Sequence, residues 1–291
     1  MDYGLTLTGG GARGAYHAGV YRALLEMNKS IKGVTGTSIG AVTAALIAAG
    51  ENKLIRRIWN YLSLETITGK SRLSLNCSTD NIKLILDYII DEDRVRRSDM
   101  LFGFEVMCPQ RYENEELFID DIPYGMLTEY LTAAVCLPVF KARVIGSAKY
   151  IDGGFIDNAP YDMLIKKGYK NIIISDDHGI GRERRLSDKN VNLIRIRYKK
   201  PFGGILNFDR DIIRRTILQG YFDCLHELGA VSGKIYAFDN EDYLKAVQKY
   251  GRESILTLEK EAYKSGISPF YRYSVAALHE QVRHIPESVG K

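Results

Sequence analysis

The segment Thr8-Gly9-Gly10-Gly11-Ala12-Arg13-Gly14 constrains this chain more than any other. It follows an apolar run, Leu5-Thr6-Leu7, and opens a pattern in which Tyr16, Val20, Ala23, Leu24 and Met27 recur at helical spacing. Glycine loses more conformational freedom on folding than any other residue, so such a run belongs where main-chain N–H groups must approach something closely. Strand, glycine loop and helix in that order predict an α/β unit with an anion cradle at a helix N-terminus. Two anions fit that cradle: the pyrophosphate of a dinucleotide, and the oxyanion of a reacting ester.

Gly9-x-Gly11-x-x-Gly14 matches the dinucleotide fingerprint. That fingerprint requires an acidic residue about 20 positions further on to hold a ribose. Thr35-Gly36-Thr37-Ser38 stands there instead, and the nearest acids, Glu26 and Glu51, fall inside or beyond the predicted helices. No Gly-Lys-Ser/Thr follows the glycines, which argues against a P-loop. The second segment, Gly36-x-Ser38-x-Gly40, has the pattern of a nucleophile elbow between a strand and a helix. Its glycines permit a sharp turn, and the serine hydroxyl projects at a helix N-terminus.

A serine nucleophile needs a base. The histidines are His17, His178, His226, His279 and His284. Only His178, after an apolar run at 171–175, is placed like the histidine of an α/β-hydrolase; the others read as packing or solvated residues. Asp152-Gly153-Gly154, after another apolar run, offers a carboxylate instead, and Gly153 and Gly154 let the backbone crowd the site.

Strand and helix patterns alternate from the N-terminus to about residue 200, and the remainder is mostly helical. This predicts an α/β fold of three layers, a largely parallel central sheet flanked by helices, with a helical C-terminal extension. The expected organisation is a core at 1–200 and a helical part at 201–291 packed on it, one domain overall. The chain has 291 residues, 45% hydrophobic and 26% charged, as globular proteins do. A net charge of +4 is too weak to indicate nucleic acid as a partner. Cys77, Cys108, Cys136 and Cys224 form no CxxC pair, and no metal-ligand cluster or cofactor motif is apparent. The longest small-apolar run, 39–49, is too short to span a bilayer, and no leader pattern precedes the first strand. The expectation is a cytoplasmic protein with no obligate protein partner. The clusters Arg56-Arg57, Arg94, Arg96-Arg97, Arg182 and Arg184-Arg185 read chiefly as solvated faces, with transient contact to an anionic membrane surface as the alternative.

Together, TGGGARG, GTSIG and DGG, in that order, resemble the patatin-like phospholipase family. Two further segments are similar: residues 132–140, a small-residue helix leading to Leu137-Pro138-Val139-Phe140, and Asp157-Asn158-Ala159-Pro160. The resemblance covers residues 3–180 and leaves the tail unexplained. Plant members of the family often carry Asp where Thr8 stands. The resemblance implies a Ser–Asp dyad without histidine, in which Ser38 attacks and Asp152 takes its proton. It also implies an oxyanion hole from the main-chain N–H groups of Gly10, Gly11 and Ala12, with Arg13 beside them. The substrate class implied is an acyl lipid or another carboxylic ester, with residues 102–107 and the tyrosines as candidate acyl-pocket residues, though core packing is the plainer role for most. Calcium dependence is not implied. An acyltransferase on the same dyad, a dinucleotide-dependent oxidoreductase and a regulatory protein with a vestigial site are the alternatives; intact Ser38 and Asp152 argue against the last.

Overall fold

The computed structural model describes residues 1–70, 77–183 and 190–284; Arg184 and Arg185 lie outside the described residues. The strands are β1 (Asp2–Leu7), β2 (Ser30–Gly36), β3 (Leu101–Cys108), β4 (Glu113–Phe118), β5 (Arg143–Ile145), β6 (Ala148–Asp152), β7 (Asn171–Asp176) and β8 (Asn192–Arg197). They form one sheet in the order β5-β6-β3-β2-β1-β7-β8, with β4 paired to β3. The pairs β1–β2, β1–β7, β2–β3 and β7–β8 are parallel, so the fold is α/β with a mostly parallel sheet. β7 shows why: Ile172, Ile173 and Ile174 are all buried, as a strand covered on both faces requires.

The helices are α1 (Ala15–Glu26), α2 (Ile39–Ala48), α3 (Asn52–Arg57), α4 (Leu64–Thr68), α5 (Asp80–Ile89), α6 (Glu92–Arg96), α7 (Leu127–Ala134), α8 (Tyr161–Lys166) and α9 (Arg210–Glu227). α2 is buried from Gly40 to Ala48. The first residues of this helix are pressed onto the sheet. A Cβ on Gly40 would lie 2.3 Å from the Leu7 carbonyl oxygen, and one on Gly36 would lie 2.3 Å from the Gly40 carbonyl. No helix among the described residues is long and apolar enough to cross a membrane.

Register along β3 explains how two distant segments meet. Residues Leu101 to Phe104 pair with Gly33 to Gly36 of β2. Beyond them, Val106 and Met107 pair with Asp152 and Ile151 of β6, while β4 runs along the opposite edge. The end of β2 and the end of β6 therefore face β3 two residues apart, at Phe104 and Val106. At a strand rise of about 3.3 Å per residue, that separation is about 7 Å.

The chain divides into two compact units, Met1–Tyr221 and Phe222–Lys291. The second holds α10 (Asn240–Tyr250), α11 (Arg252–Lys264), α12 (Val275–Arg283) and a short parallel pair, β9 (Ala237–Phe238) with β10 (Arg272–Tyr273). Its core is Tyr236, Phe238, Ile255, Ala262, Val275 and Leu278. Buried Glu259 accepts the N–H groups of Lys234, Ile235 and Tyr236, which pins the segment entering β9.

Two features have no local signal in the sequence. The charged strand β4, read from Glu113-Asn114-Glu115-Glu116-Leu117-Phe118, carries no apolar alternation and is half-exposed. Cys77 is flanked by polar Asn76, Ser78 and Thr79, yet it is buried and forms a backbone bridge to Phe140. All four cysteines are buried and unpaired with one another.

Candidate active site

Parallel α/β sheets present their functional loops beyond the carboxyl ends of the strands. The Gly loop follows β1, Ser38 follows β2 and Asp152 ends β6. Ser38 is the N-cap of α2 and has φ 54° and ψ −127°. A non-glycine residue in that region carries strain of about 1–3 kcal/mol. The strain persists because both flanks are fixed: the Thr37 N–H donates to the Leu7 carbonyl at 3.1 Å, and the Gly40 N–H donates to the Thr37 carbonyl at 2.8 Å. The Thr37 hydroxyl adds a bond to the Asp157 carbonyl at 3.2 Å.

Ser38 is 7% exposed, and its hydroxyl is near enough to the Asp152 carboxylate to favour that group's ionised form. Asp152 is buried and accepts the Gly154 N–H at 2.9 Å. Burial pushes its pKa up to about 6, against the opposing pull of Ser38 and the Gly154 amide. A hydroxyl beside a buried carboxylate of raised basicity can give up its proton as it attacks a carbonyl carbon.

The Gly loop, with Gly9, Gly10, Gly11 and Gly14, approaches Ser38 through Gly9. Asn158 braces it by bonding both sides of Gly9: the Gly9 N–H donates to Asn158 Oδ1 and Asn158 Nδ2 donates to the Gly9 carbonyl, each at 3.0 Å. A Cβ on Gly9 would meet both the Ser38 Cβ and Asn158 Oδ1 at 2.8 Å, so only glycine fits between them. Gly11 has φ 58°, a left-handed conformation that turns the loop into α1.

The three amides expected to face an oxyanion are not equally available. The Ala12 N–H donates to the Ile205 carbonyl at 2.7 Å, and the Arg13 N–H donates to the Gly10 carbonyl at 3.2 Å. Among the described residues, the N–H groups of Gly10 and Gly11 make no hydrogen bond. The Arg13 side chain is tied to two neighbouring loops, through Nε to the Gly203 carbonyl at 2.9 Å and Nη1 to the His178 carbonyl at 2.6 Å. The reason is tertiary: residues 203–208 lie across the loop, a neighbour that local sequence does not announce.

An apolar cavity of about 100 Å³ opens at Ser38 and Gly11. Its other lining residues are aliphatic or aromatic, chiefly Val42 of α2, Ile82, Ile85 and Leu86 of α5, and Ile205 and Phe208. Residues 102–107 do not line it; Phe102, Phe104 and Val106 are core residues of β3. Sequence reading did not anticipate this cavity's lining, although α5 carries a signal: Ile82, Ile85, Leu86 and Ile89 make one helical face.

His178 has φ 59° and an exposed side chain; its backbone serves the loop, with the N–H bonded to Asp176 Oδ1 at 3.0 Å. His17 is fully buried beneath the Gly loop. Its Nε2 donates to the Thr8 carbonyl at 2.8 Å, and its Nδ1 meets the Ser175 hydroxyl at 2.8 Å. Burial lowers its pKa to about 4, so the ring is neutral. Elsewhere, carboxylate oxygens of Glu105, Glu116 and Asp162 come within 4.8 Å of one another, a cluster that sequence spacing did not suggest. Lys166 Nζ meets Glu116 at 2.5 Å and Asp162 at 3.3 Å, supplying a positive charge to that cluster.

A mostly parallel α/β sheet, a glycine loop at a helix N-terminus, and a serine on a strained turn near a buried aspartate together define the class of α/β proteins to which this chain is to be compared. The family model for patatin-like phospholipases matches residues 5–165, and the chain belongs to that family. It is 26% identical over 288 residues to a patatin-like phospholipase domain-containing protein of Caenorhabditis elegans, a match covering 86% of this chain and 20% of that one. It is 26% identical over 181 residues to lysophospholipase NTE1 of Saccharomyces cerevisiae, covering 60% and 10% respectively. The chain thus spans a tenth to a fifth of the length of these curated relatives. The crystal structure of VipD from Legionella pneumophila shares the fold, with TM-score 0.58 and 16% identity, covering 96% of this chain and 79% of that one.

Proposed function

We propose that this protein is a serine acyl hydrolase that cleaves carboxylic esters of lipids with Ser38 as nucleophile and Asp152 as its base. One observation carries the reading: Ser38, with the buried Asp152 carboxylate beside it, lines an apolar cavity. Relatives named as phospholipases and lysophospholipases support the substrate class. An acyl chain occupies the cavity, which excludes water and leaves the ester carbon beside Ser38.

Attack forms the Ser38 Oγ–carbon bond as the Oγ proton passes to Asp152. The carbonyl oxygen becomes an oxyanion and takes the free N–H groups of Gly10 and Gly11. Such donors contribute about 2.7–4 kcal/mol each where they have been removed singly. The N-terminus of α2 adds favourable potential at Ser38. Collapse breaks the ester bond, and Asp152 returns its proton to the departing alcohol. Water, activated by the same carboxylate, then releases the fatty acid from the acyl-enzyme.

The Ala12 amide joins the oxyanion donors only if Ile205 moves aside. We also assign transient membrane contact to α3, where Lys53, Arg56 and Arg57 are exposed, followed by Tyr61 at 69% exposure. Mass spectrometry of a fluorophosphonate adduct tests the main reading. An adduct mapped to Ser38, and lost in Ser38→Ala, is expected; labelling that survives in Ser38→Ala refutes it. Product analysis with an added alcohol separates hydrolysis from acyl transfer.

A further inference from the structure

A second buried aspartate lies against the Gly loop from the opposite side to Ser38. Asp177 follows β7 and is fully buried. Its Oδ1 accepts the Thr8 hydroxyl at 2.8 Å and the Gly179 N–H at 3.1 Å, and its own N–H donates to the Thr8 hydroxyl oxygen at 3.0 Å. With His17 on the Thr8 carbonyl, Thr8 is held at both its side chain and its main chain. Thr8 is the residue from which the Gly loop departs, so these bonds set the loop's direction.

The other oxygen, Oδ2, is buried and without a hydrogen-bond partner among the described residues. It rests on Gly10, where a Cβ would approach it to 2.2 Å. The His17 ring is 3.6 Å away, but His17 Nε2 already serves Thr8 and the ring is neutral, so the two do not form an ion pair. Arg13, from the loop itself, attracts the carboxylate, while Asp176 of β7 repels it. Asp176 is in turn held by Arg195 Nη1 and Arg197 Nε of β8, each at 2.9 Å.

We infer that Asp177 is the positioning residue of the Gly loop and acts as a neutral carboxylic acid, because a negative charge against Gly10 opposes any anion the loop is to hold. The inference deepens the proposed reading and rests on it for the identity of that anion. Burial pushes the pKa of Asp177 up to about 7, which agrees with a neutral acid below neutrality. Loss of this proton weakens the loop as an anion cradle, so activity falls on the alkaline side.

The loop and the chemistry are tested separately. In catalytically silent Ser38→Ala protein, the amide resonances of Gly10 and Gly11 are followed by 15N–1H NMR from pH 5 to 9. They should titrate with a midpoint near 7, and Asp177→Asn should abolish that titration. Silent resonances, or a step near pH 7 that persists in Asp177→Asn beside the limb near 6 from Asp152, overturn the proposal whether or not the protein is a hydrolase. In protein that retains Ser38, kcat/KM for a p-nitrophenyl ester at pH 8.5 should be at least threefold higher in Asp177→Asn than in wild type. A fall in Asp177→Asn at every pH refutes the neutral-acid role. A wild type without esterase activity or Ser38 labelling refutes the functional reading instead, while the NMR result still decides the coupling.

Discussion

Replacing Asp152 by Asn should stabilise the protein while removing its activity. The carboxylate is buried, and burial raises its pKa from 3.8 to about 6. A carboxyl with a raised folded-state pKa binds its proton more tightly folded than unfolded. Stability is then fully present below the unfolded pKa, falls as pH rises from about 4 to about 6, and stays low above that. At about 1.36 kcal/mol per pH unit between the unfolded and folded values, the deficit above pH 6 is about 3 kcal/mol. Asn is nearly isosteric, still accepts the Gly154 N–H, and offers its own N–H to Ser38. Asp152→Asn should therefore match wild type near pH 4 and exceed it by about 3 kcal/mol at pH 8, or about 5–10 °C in Tm. Differential scanning calorimetry at a series of pH values measures the difference between the two proteins, which cancels the contribution of Asp177. A constant Tm difference across the range, or a less stable variant at pH 8, refutes the assignment of Asp152 as a buried carboxylate under desolvation stress.

The Ser38 turn gives a second stability change. Ser38→Gly relieves φ 54° and ψ −127° and should raise the urea midpoint by an equivalent of about 1–2 kcal/mol, with hydrolysis lost. Gly40→Ala places a Cβ 2.3 Å from the Leu7 carbonyl and should destabilise the first unit by about 1–3 kcal/mol, read as a lower Tm. In the apolar cavity, Ile85→Trp should cut kcat/KM for long-chain esters by at least tenfold while short-chain hydrolysis persists; equal losses for both contradict an acyl role. Below neutrality, kcat/KM should rise with pH to a midpoint near 6 as Asp152 ionises, and Asp177→Asn should leave that acidic limb in place.

The layered α/β fold was legible because its signals are local. The apolar run over β7, the glycine loop before α1 and the small-residue pattern of α2 each state their own geometry. The order of the three glycine-bearing motifs was enough to replace a nucleotide reading with a serine one, since Ser38 stands where a ribose-binding acid was required. The sequence put no motif around the histidines; in the structure, His178 has its backbone N–H bonded to Asp176 and His17 is a neutral strut under Thr8.

What sequence alone determined was which residue types had to come together. Whether they did was decided by pairing across long separations. β6 continues the edge of β3 beyond the end of β2, which brings Asp152 to Ser38 across more than a hundred residues. Likewise, the Ile205 carbonyl takes the Ala12 amide, α5 walls the cavity, and Asp177 reaches Gly10 from the far side of β1. The α5 face and the motifs around Ser38 and Asp152 are visible in the sequence, but what each of them meets is not. Each contact depends on burial, which only the packed chain creates, and burial is also what raises the pKa values of Asp152 and Asp177 into the range where they can exchange protons near neutrality.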